Sequence, residues 1–316
     1  MLLLAISALG ASGHLLGLGC SSDSGETPQT FVDAGPDGRV IPPPPDPCDL
    51  SKDFGPPALV PGLPTGNAKV SGAKLSTDEL TIVYDDGSDI VIATRDNIAS
   101  PFQKRPWLSA TNTASPEYLP WINSASNELF FMRTRDGSIF DLYRARRNDT
   151  ASAFGAAQNV LHLASGSVAS PFLIEGRELW FTRLESDGTQ GIVRAPITGD
   201  ATFGAPTPVT ELNDPASKNG GAILTRDGLA VYFVSTRQGA GDQDIWTATR
   251  SSESATFATP TRVAGVNSAS NDSPGSISSD GCRLYFSSDR DQGNDVSDAG
   301  DGGTRETHAF VAQRPQ

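Results

Sequence analysis

The 316-residue sequence has few of the residues on which enzyme motifs depend. It contains three cysteines and three histidines, and of the histidines only His162 and His308 lie beyond the apolar N-terminal segment. It has no Gly-x-Ser-x-Gly nucleophile motif and no Gly-rich phosphate-binding loop. No motif therefore predicts a hydrolase or a nucleotide-dependent enzyme, and we expect no cofactor.

Basic residues are also scarce, with 24 Lys and Arg against 37 Asp and Glu and a formal net charge of −13. Residues 21–53 hold seven acidic and two basic residues, and residues 289–306 hold six acidic and two basic ones. The chain therefore lacks the positive surface that nucleic-acid binding requires, and its acidity is concentrated in two segments.

Apolar residues at helical spacing are absent except in residues 1–18, a stretch too short to cross a membrane comfortably. This stretch predicts a signal peptide over residues 1–19. It ends in Gly17-Leu18-Gly19-Cys20, which resembles the lipobox of bacterial lipoproteins and implies that Cys20 is lipidated. The alternative is a plain secretory signal.

Residues 20–53 are rich in Ser, Asp, Gly and Pro, include the run Pro42–Pro45, and have too few apolar residues to fold. We therefore predict a disordered acidic tether. Together with the lipobox it implies a lipid-anchored protein of a Gram-negative cell envelope, in the periplasm or on the outer membrane, with the membrane leaflet undetermined.

A block of about 50 residues occurs five times in the remaining sequence. Each copy begins with a phenylalanine, about 25 residues later comes a short apolar strand, and some ten residues after that a second strand follows. The opening residues are Phe54, Phe102, Phe154, Phe203 and Phe257. This period predicts an all-β fold, a five-bladed β-propeller over residues 54–316, with each blade a four-stranded antiparallel sheet.

The fourth and fifth copies share Asp-Gly before the first strand, Tyr-Phe-x-Ser-x-Arg along and just after it, and, in the fourth, Asp244-Ile245-Trp246 at the second strand. This pattern resembles the WD40-like repeat of TolB-type propellers, although Asp85-Asp86 and Glu185 depart from it in copies one and three. The resemblance implies a binding or scaffolding module. By analogy, its partners would be envelope proteins or cell-wall glycan, without nucleic acid.

If Cys20 carries the lipid, Cys48 and Cys282 remain as a pair in an oxidising compartment. Cys48 precedes the first repeat and Cys282 begins a strand of the last, and the first and last blades of a closed ring are neighbours. We therefore predict a disulfide across the seam of the ring. Two unpaired thiols are the alternative.

Binding residues are expected near strand ends at the mouths of the central channel. The candidates are Trp107, Trp121, Arg133 and Arg183. The two tryptophans do not recur in other copies, which favours a contact role. Arg135, Arg237 and Arg290 share one repeat position, which favours a structural role for these three.

An acidic insertion in the fifth copy offers weak calcium ligands in Asp289, Asp291 and Asp295. The alternative is a solvated loop without metal.

Two other functions also stay open for the whole protein, a five-bladed glycosidase acting on polysaccharide and a purely structural domain. Carboxylates from different blades converging in the channel would indicate the glycosidase, whereas a mouth lined by aromatic and arginine side chains would favour binding.

Overall fold

The computed structural model describes residues 48–135, 137–237, 243–290 and 306–316. Within these residues 21 strands form five antiparallel sheets, and no helix is present. The described part of the chain accordingly has no helix long and apolar enough to cross a membrane. The predicted signal peptide and the tether before Cys48 lie outside the described residues.

Each sheet is one blade with an innermost, a second, a third and an outer strand. Blade one comprises Ser71–Leu75, Thr81–Asp85, Ile90–Thr94 and Gln103–Arg105. Blade two comprises Glu117–Ile122, Glu128–Thr134, Phe140–Arg146 and Gln158–Leu161. Blade three comprises Ser167–Ile174, Glu178–Leu184 and Gln190–Gly199, and two short strands, Thr202–Phe203 and Thr207–Pro208, share the outer position.

Blade four comprises Asn219–Leu224, Ala230–Ser235, Asp244–Thr249 and Thr261–Arg262. Blade five comprises Asp272–Ile277, Arg283–Ser288, His308–Gln313 and, as its outer strand, the N-terminal Ala58–Leu59. The prediction of a five-bladed propeller with four-stranded antiparallel blades is confirmed.

The two ends of the propeller sequence meet in blade five. Ala58 and Leu59 pair with Val311 and Phe310 of the last strand, and the amide of Gly55 donates to the carbonyl of Gln313 at 2.8 Å. Each sequence repeat therefore begins one strand before a structural blade, because its opening segment supplies the outer strand of the blade before it. This exchange closes the ring, and the outer edge of blade five is the short strand Ala58–Leu59.

The buried apolar side chains form five clusters, and each cluster lies between two neighbouring blades. The cluster between blades four and five contains Tyr232 and Phe286, and the cluster between blades five and one contains Tyr84 and Tyr285. Five clusters for five blades show that every blade packs on two neighbours. The ring is held by this face-to-face packing of sheets.

The opening phenylalanine of four repeats has one recurring partner, an arginine that follows the third strand of the blade. The guanidinium carbon lies 4.1 to 4.6 Å from the ring centroid in the pairs Arg95–Phe102, Arg147–Phe154, Arg250–Phe257 and Arg314–Phe54. The backbone amide of each of these arginines donates to a carbonyl just before the second strand of its blade. In blade three the amide that makes this hydrogen bond, to the carbonyl of Arg177, belongs to Ile197, so an isoleucine occupies the arginine position. The repeated phenylalanine thus has a structural role.

Cys48 and Cys282 form a disulfide, with their Cα atoms 5.7 Å apart. The bond joins the segment before Ala58–Leu59 to the residue directly before the second strand of blade five. The covalent link therefore lies in the blade that combines both ends of the propeller sequence.

Candidate functional site

The five innermost strands surround the central channel, and each contains a β-bulge near its middle. In four blades a residue in the bulge has a positive φ, namely Gly72, Leu119, Ser170 and Gly221. A Cβ on Gly72 would lie 2.7 Å from Leu119 Cδ2. The innermost strands of blades one and two therefore lie in close contact at their bulges.

A cavity of about 330 Å³ occupies the end of the channel towards which all five innermost strands run. Every blade contributes to its wall, with residues from the end of the innermost strand and the turn that follows. The lining residues are Leu75, Ser76, Thr77, Trp121, Ile122, Ser124, Phe172, Leu173, Ile174, Glu175, Arg177, Leu224, Thr225, Arg226, Ser276, Ile277 and Ser279. We call this space the mouth cavity.

The deeper wall of the mouth cavity is apolar and partly aromatic. Trp121 is buried and packs edge-on against Phe130 and Phe172, with ring centroids 5.9 and 6.3 Å away. These contacts fix the indole between blades two and three. Phe172, which the sequence reasoning missed, is half-buried and lies on the innermost strand of blade three.

The rim is formed by turns between innermost and second strands, and in three blades these turns share the pattern Ser/Thr-x-Asp. The hydroxyl of Thr225 donates to Asp227 at 2.6 Å, and the amide of Leu229 also donates to that carboxylate at 2.9 Å. These hydrogen bonds lower the pKa of Asp227. The aspartate is held by its own turn and does not line the cavity, whereas the middle residue, here Arg226, does.

Three charged residues line the mouth cavity, Glu175, Arg177 and Arg226. Glu175 accepts hydrogen bonds from the amide and the hydroxyl of Ser124, at 2.6 and 2.9 Å. Arg177 forms an ion pair with Glu253. Arg226 is exposed and has no ion-pair partner among the residues that the structure describes. The sequence reasoning did not single out any of these three side chains.

The other candidate binding residues lie outside the mouth cavity. Trp107 is half-buried between the guanidinium groups of Arg105 and Arg147, whose carbons lie 5.8 and 4.9 Å from the ring. Arg183 pairs with Glu185 at 2.5 Å. The structure thus places one of the four candidates, Trp121, in the cavity.

Arg133, the fourth candidate, belongs to a set of buried pairs at the opposite end of the channel. Three innermost strands begin with a buried polar residue that an arginine of the same blade binds: Glu117 with Arg133 at 2.8 Å, Asn219 with Arg237 at 2.8 Å, and Asp272 with Arg290 at 2.6 Å. Each arginine also donates to a loop carbonyl. These contacts indicate a structural role for the arginines.

These buried carboxylates do not resemble a catalytic pair. Glu117 and Asp272 have no measurable exposure, and each is neutralised within its own blade. Burial raises the pKa of Glu117. The mouth cavity has a single carboxylate in its lining, Glu175, so it does not present the two facing carboxyl groups that glycoside hydrolysis requires.

A buried lysine was also missed by the sequence reasoning. Lys74 follows the bulge of blade one, at the position that Trp121 and Phe172 occupy in blades two and three. Its Nζ donates to the carbonyl of Pro274 in blade five at 3.2 Å. Burial lowers the pKa of Lys74 to about 7.

Of the calcium candidates, Asp291 and Asp295 lie outside the described residues, as does the lipidation candidate Cys20. Asp289 accepts hydrogen bonds from the amide and the side chain of Asn271, at 2.7 and 2.8 Å. The described ranges contain no group of three or more His, Cys, Asp or Glu side chains that could hold a metal ion. Calcium binding by the 289–306 segment stays a prediction.

Comparison with known proteins gave matches to solved structures alone, since no family model and no curated protein matches the chain. A family 117 glycoside hydrolase from Zobellia galactanivorans has a TM-score of 0.52 at 10% identity, over 82% of this chain and 90% of that one. A family 43 endo-arabinanase from Bacillus licheniformis has a TM-score of 0.52 at 11% identity, over 79% and 95%.

A protein described as TolB, from Agrobacterium tumefaciens, has a TM-score of 0.47 at 16% identity, over 79% of this chain and 91% of that one. The two glycoside hydrolases match at TM-scores of 0.52, so the chain is similar to them in fold. At these identities the likeness establishes the propeller scaffold and leaves the activity to be argued from the site.

Proposed function

We propose that this protein is a non-catalytic binding module of the cell envelope, whose propeller binds a protein or cell-wall partner at the mouth cavity. The observation that carries the proposal is the composition of that cavity. All five blades contribute to a concave wall with aromatic, aliphatic, hydroxyl and arginine groups, and one carboxylate is present. Such a mixture of apolar wall and few polar groups is typical of binding sites.

The glycosidase alternative has the support of the fold but not of the cavity. Several of the similar structures are glycoside hydrolases, and their fold is compatible with that chemistry. In the part of this chain that the structure describes, however, the buried acids at the innermost strands are held by arginines. We therefore place catalysis second.

The binding proposal can be tested by capture of a partner with a variant that fills the cavity. Ser279 is exposed and lines the rim, so Ser279→Trp should obstruct the mouth without disturbing a core. Residues 21–316 would be incubated with detergent-solubilised envelope, and the bound proteins and glycans identified by mass spectrometry. We expect one saturable partner that the wild type retains and Ser279→Trp loses.

The matched control is Thr259→Trp, because Thr259 is also exposed but lies beside the outer strand of blade four. It should retain the partner fully. Equal capture by both variants would overturn the assignment to the mouth cavity. Hydrolysis of a polysaccharide panel by the wild type would instead establish the enzyme.

We further propose that Cys20 carries the lipid and that residues 21–53 hold the propeller away from the membrane. This proposal rests on the lipobox-like sequence before Cys20 and on the acidic, proline-rich composition after it. Mass spectrometry of the mature N-terminus should show an acylated Cys20, and Cys20→Ser should release the protein from membranes. An unmodified Cys20 in membrane-bound protein would contradict the anchor.

A further inference from the structure

The electrostatic character of the mouth cavity differs from that of the chain as a whole. The net charge of the chain is −13, yet two arginines and one glutamate line the cavity. Arg177 is satisfied by Glu253, and both oxygens of Glu175 accept hydrogen bonds from Ser124. Of the two lining arginines, Arg226 is the one without an ion-pair partner among the described residues, so its guanidinium has donors available at the rim.

The carboxylates of the aspartates nearest the rim are held by their own turns and lie outside the lining of the cavity. Asp78, Asp227 and Asp280 each accept hydrogen bonds from a hydroxyl and an amide of their own turn. None of the three is among the residues that line the cavity. A carboxylate in the cavity can therefore reach Arg226, whose guanidinium fork can bind it with two hydrogen bonds.

The depth of the cavity favours an apolar group attached to that anion. Below the rim, the wall is formed by Trp121, Phe172 and aliphatic side chains from all five blades, among them Leu75 and Ile277. A volume of about 330 Å³ is at the low end for small-molecule sites. It suits one large apolar side chain with its immediate polar neighbours.

We propose that the mouth cavity binds an apolar carboxylate: a ligand whose single large apolar group packs against Trp121 and Phe172 and whose carboxylate pairs with Arg226. This inference rests on the proposed binding function and names its ligand chemistry. The C-terminal residue of a polypeptide with a large apolar side chain has this chemistry, and so does a free aryl or alkyl acid. The exposed hydroxyl of Ser279, in the rim turn of the neighbouring blade, can serve a peptide amide beside the carboxylate.

The test is isothermal titration of the purified propeller with a set of small probes. N-acetyl-phenylalanine has both groups, its amide N-acetyl-phenylalaninamide lacks the charge, and N-acetyl-alanine lacks the large apolar group. We expect the first to bind at least tenfold more tightly than the other two. 3-Phenylpropanoate lacks the peptide amide, so tighter binding of N-acetyl-phenylalanine would indicate a chain terminus, and equal binding a free acid.

Arg226→Gln should weaken the binding of N-acetyl-phenylalanine at least tenfold. It should leave the weak binding of N-acetyl-phenylalaninamide unchanged. The control is Lys218→Gln, which removes the same charge from an exposed site beside Asn219, at the opposite end of the channel. This control should bind as the wild type does. Because Arg226 is exposed, neither variant is expected to alter folding, and thermal melting would verify that.

Equal binding of the acid and the amide, or equal weakening by Arg226→Gln and Lys218→Gln, would overturn the inference. So would the absence of binding by every probe. If no probe binds but Ser279→Trp still abolishes partner capture, the apolar carboxylate is wrong and the binding module stands. If capture is also insensitive to Ser279→Trp, the proposed function fails as well.

Discussion

The guanidinium carbon of Arg314 lies 4.1 Å from the centroid of the Phe54 ring, which joins the last residues of the propeller to the first. The same arginine donates to the carbonyl of Lys52 and lies 3.4 Å from the hydroxyl of Tyr232. Within blades one, two and four, equivalent pairs connect neighbouring segments. At the seam the pair connects parts of the chain that are distant in sequence, so it stabilises the closed ring.

Arg314→Gln should lower the free energy of unfolding by about 1–2 kcal/mol, because it removes a cation–π contact and its hydrogen bonds. Urea denaturation of the variant would measure this loss. Arg226→Gln removes an exposed arginine that has no such ring contact among the described residues, so it should change stability by less than about 0.5 kcal/mol. A double-mutant cycle with Phe54→Leu that gave no coupling would show that the stacking contributes nothing.

The disulfide should stabilise the same closure. Replacing both Cys48 and Cys282 by serine should reduce the free energy of unfolding by roughly 2–5 kcal/mol, since the bond spans 234 residues of sequence. Urea denaturation with and without dithiothreitol would measure the effect. The reductant should destabilise the wild type and leave the double variant unchanged. A wild type indifferent to reductant would contradict a stabilising role.

Arg133→Gln should act on stability rather than on binding. Glu117 is fully buried, and its Oε2 has no hydrogen-bond partner within the described structure. Removing Arg133 would leave that charge uncompensated, at a cost of about 3–5 kcal/mol. Arg183→Gln removes a half-exposed arginine paired with Glu185, so it should cost about 1 kcal/mol or less. Chemical denaturation of the two variants would separate these outcomes.

The same loss of stability in both variants would contradict the distinction between a buried and an exposed pair. Partner capture by folded Arg133→Gln at wild-type affinity would support its structural role. A folded variant that had lost the partner would restore Arg133 as a binding residue.

The sequence could predict the propeller because its period is carried by residues that packing requires in nearly every blade. Arg95, Arg147 and Arg250 each precede a repeat phenylalanine by seven residues, and the structure shows why, since each guanidinium lies over that ring. The offset between repeat and blade was harder to see. It depends on which strand pairs with Ala58–Leu59, and pairing partners are not encoded in the period.

The mouth cavity was less accessible to sequence reasoning because its residues belong to turns that look alike. Arg226 stands between a threonine and an aspartate, in a turn whose sequence indicates only a structural role. That Arg226 lines the cavity while Asp227 bonds to its own turn is visible only in the structure. Repeat position did not identify the arginine of blade two that binds the buried acid, because the arginine at the shared position is Arg135. It aligns with Arg237 and Arg290, yet in blade two Arg133 binds the buried acid, because it lies directly opposite Glu117 in the sheet.

Lys74 should make stability depend on pH in a direction set by its burial. Its pKa is lowered to about 7 in the folded protein, whereas the unfolded value is about 10.4. Between these values the unfolded chain binds more protons, so this group destabilises the fold most below pH 7 and progressively less as the pH rises. Lys74→Met removes the charge and keeps most of the volume.

Lys74→Met should therefore raise the free energy of unfolding, and the gain should be larger at pH 6 than at pH 9 by roughly 2–3 kcal/mol. Loss of the hydrogen bond to the Pro274 carbonyl acts against the gain. Urea denaturation of wild type and variant at pH 6, 7.5 and 9 would measure the difference in free energy of unfolding. The other titrating groups are common to both proteins, so their contributions cancel in this difference. Lys104→Met, at an exposed outer strand, should show no such pH-dependent difference. A gain independent of pH would mean that Lys74 stays protonated in the folded ring throughout this range.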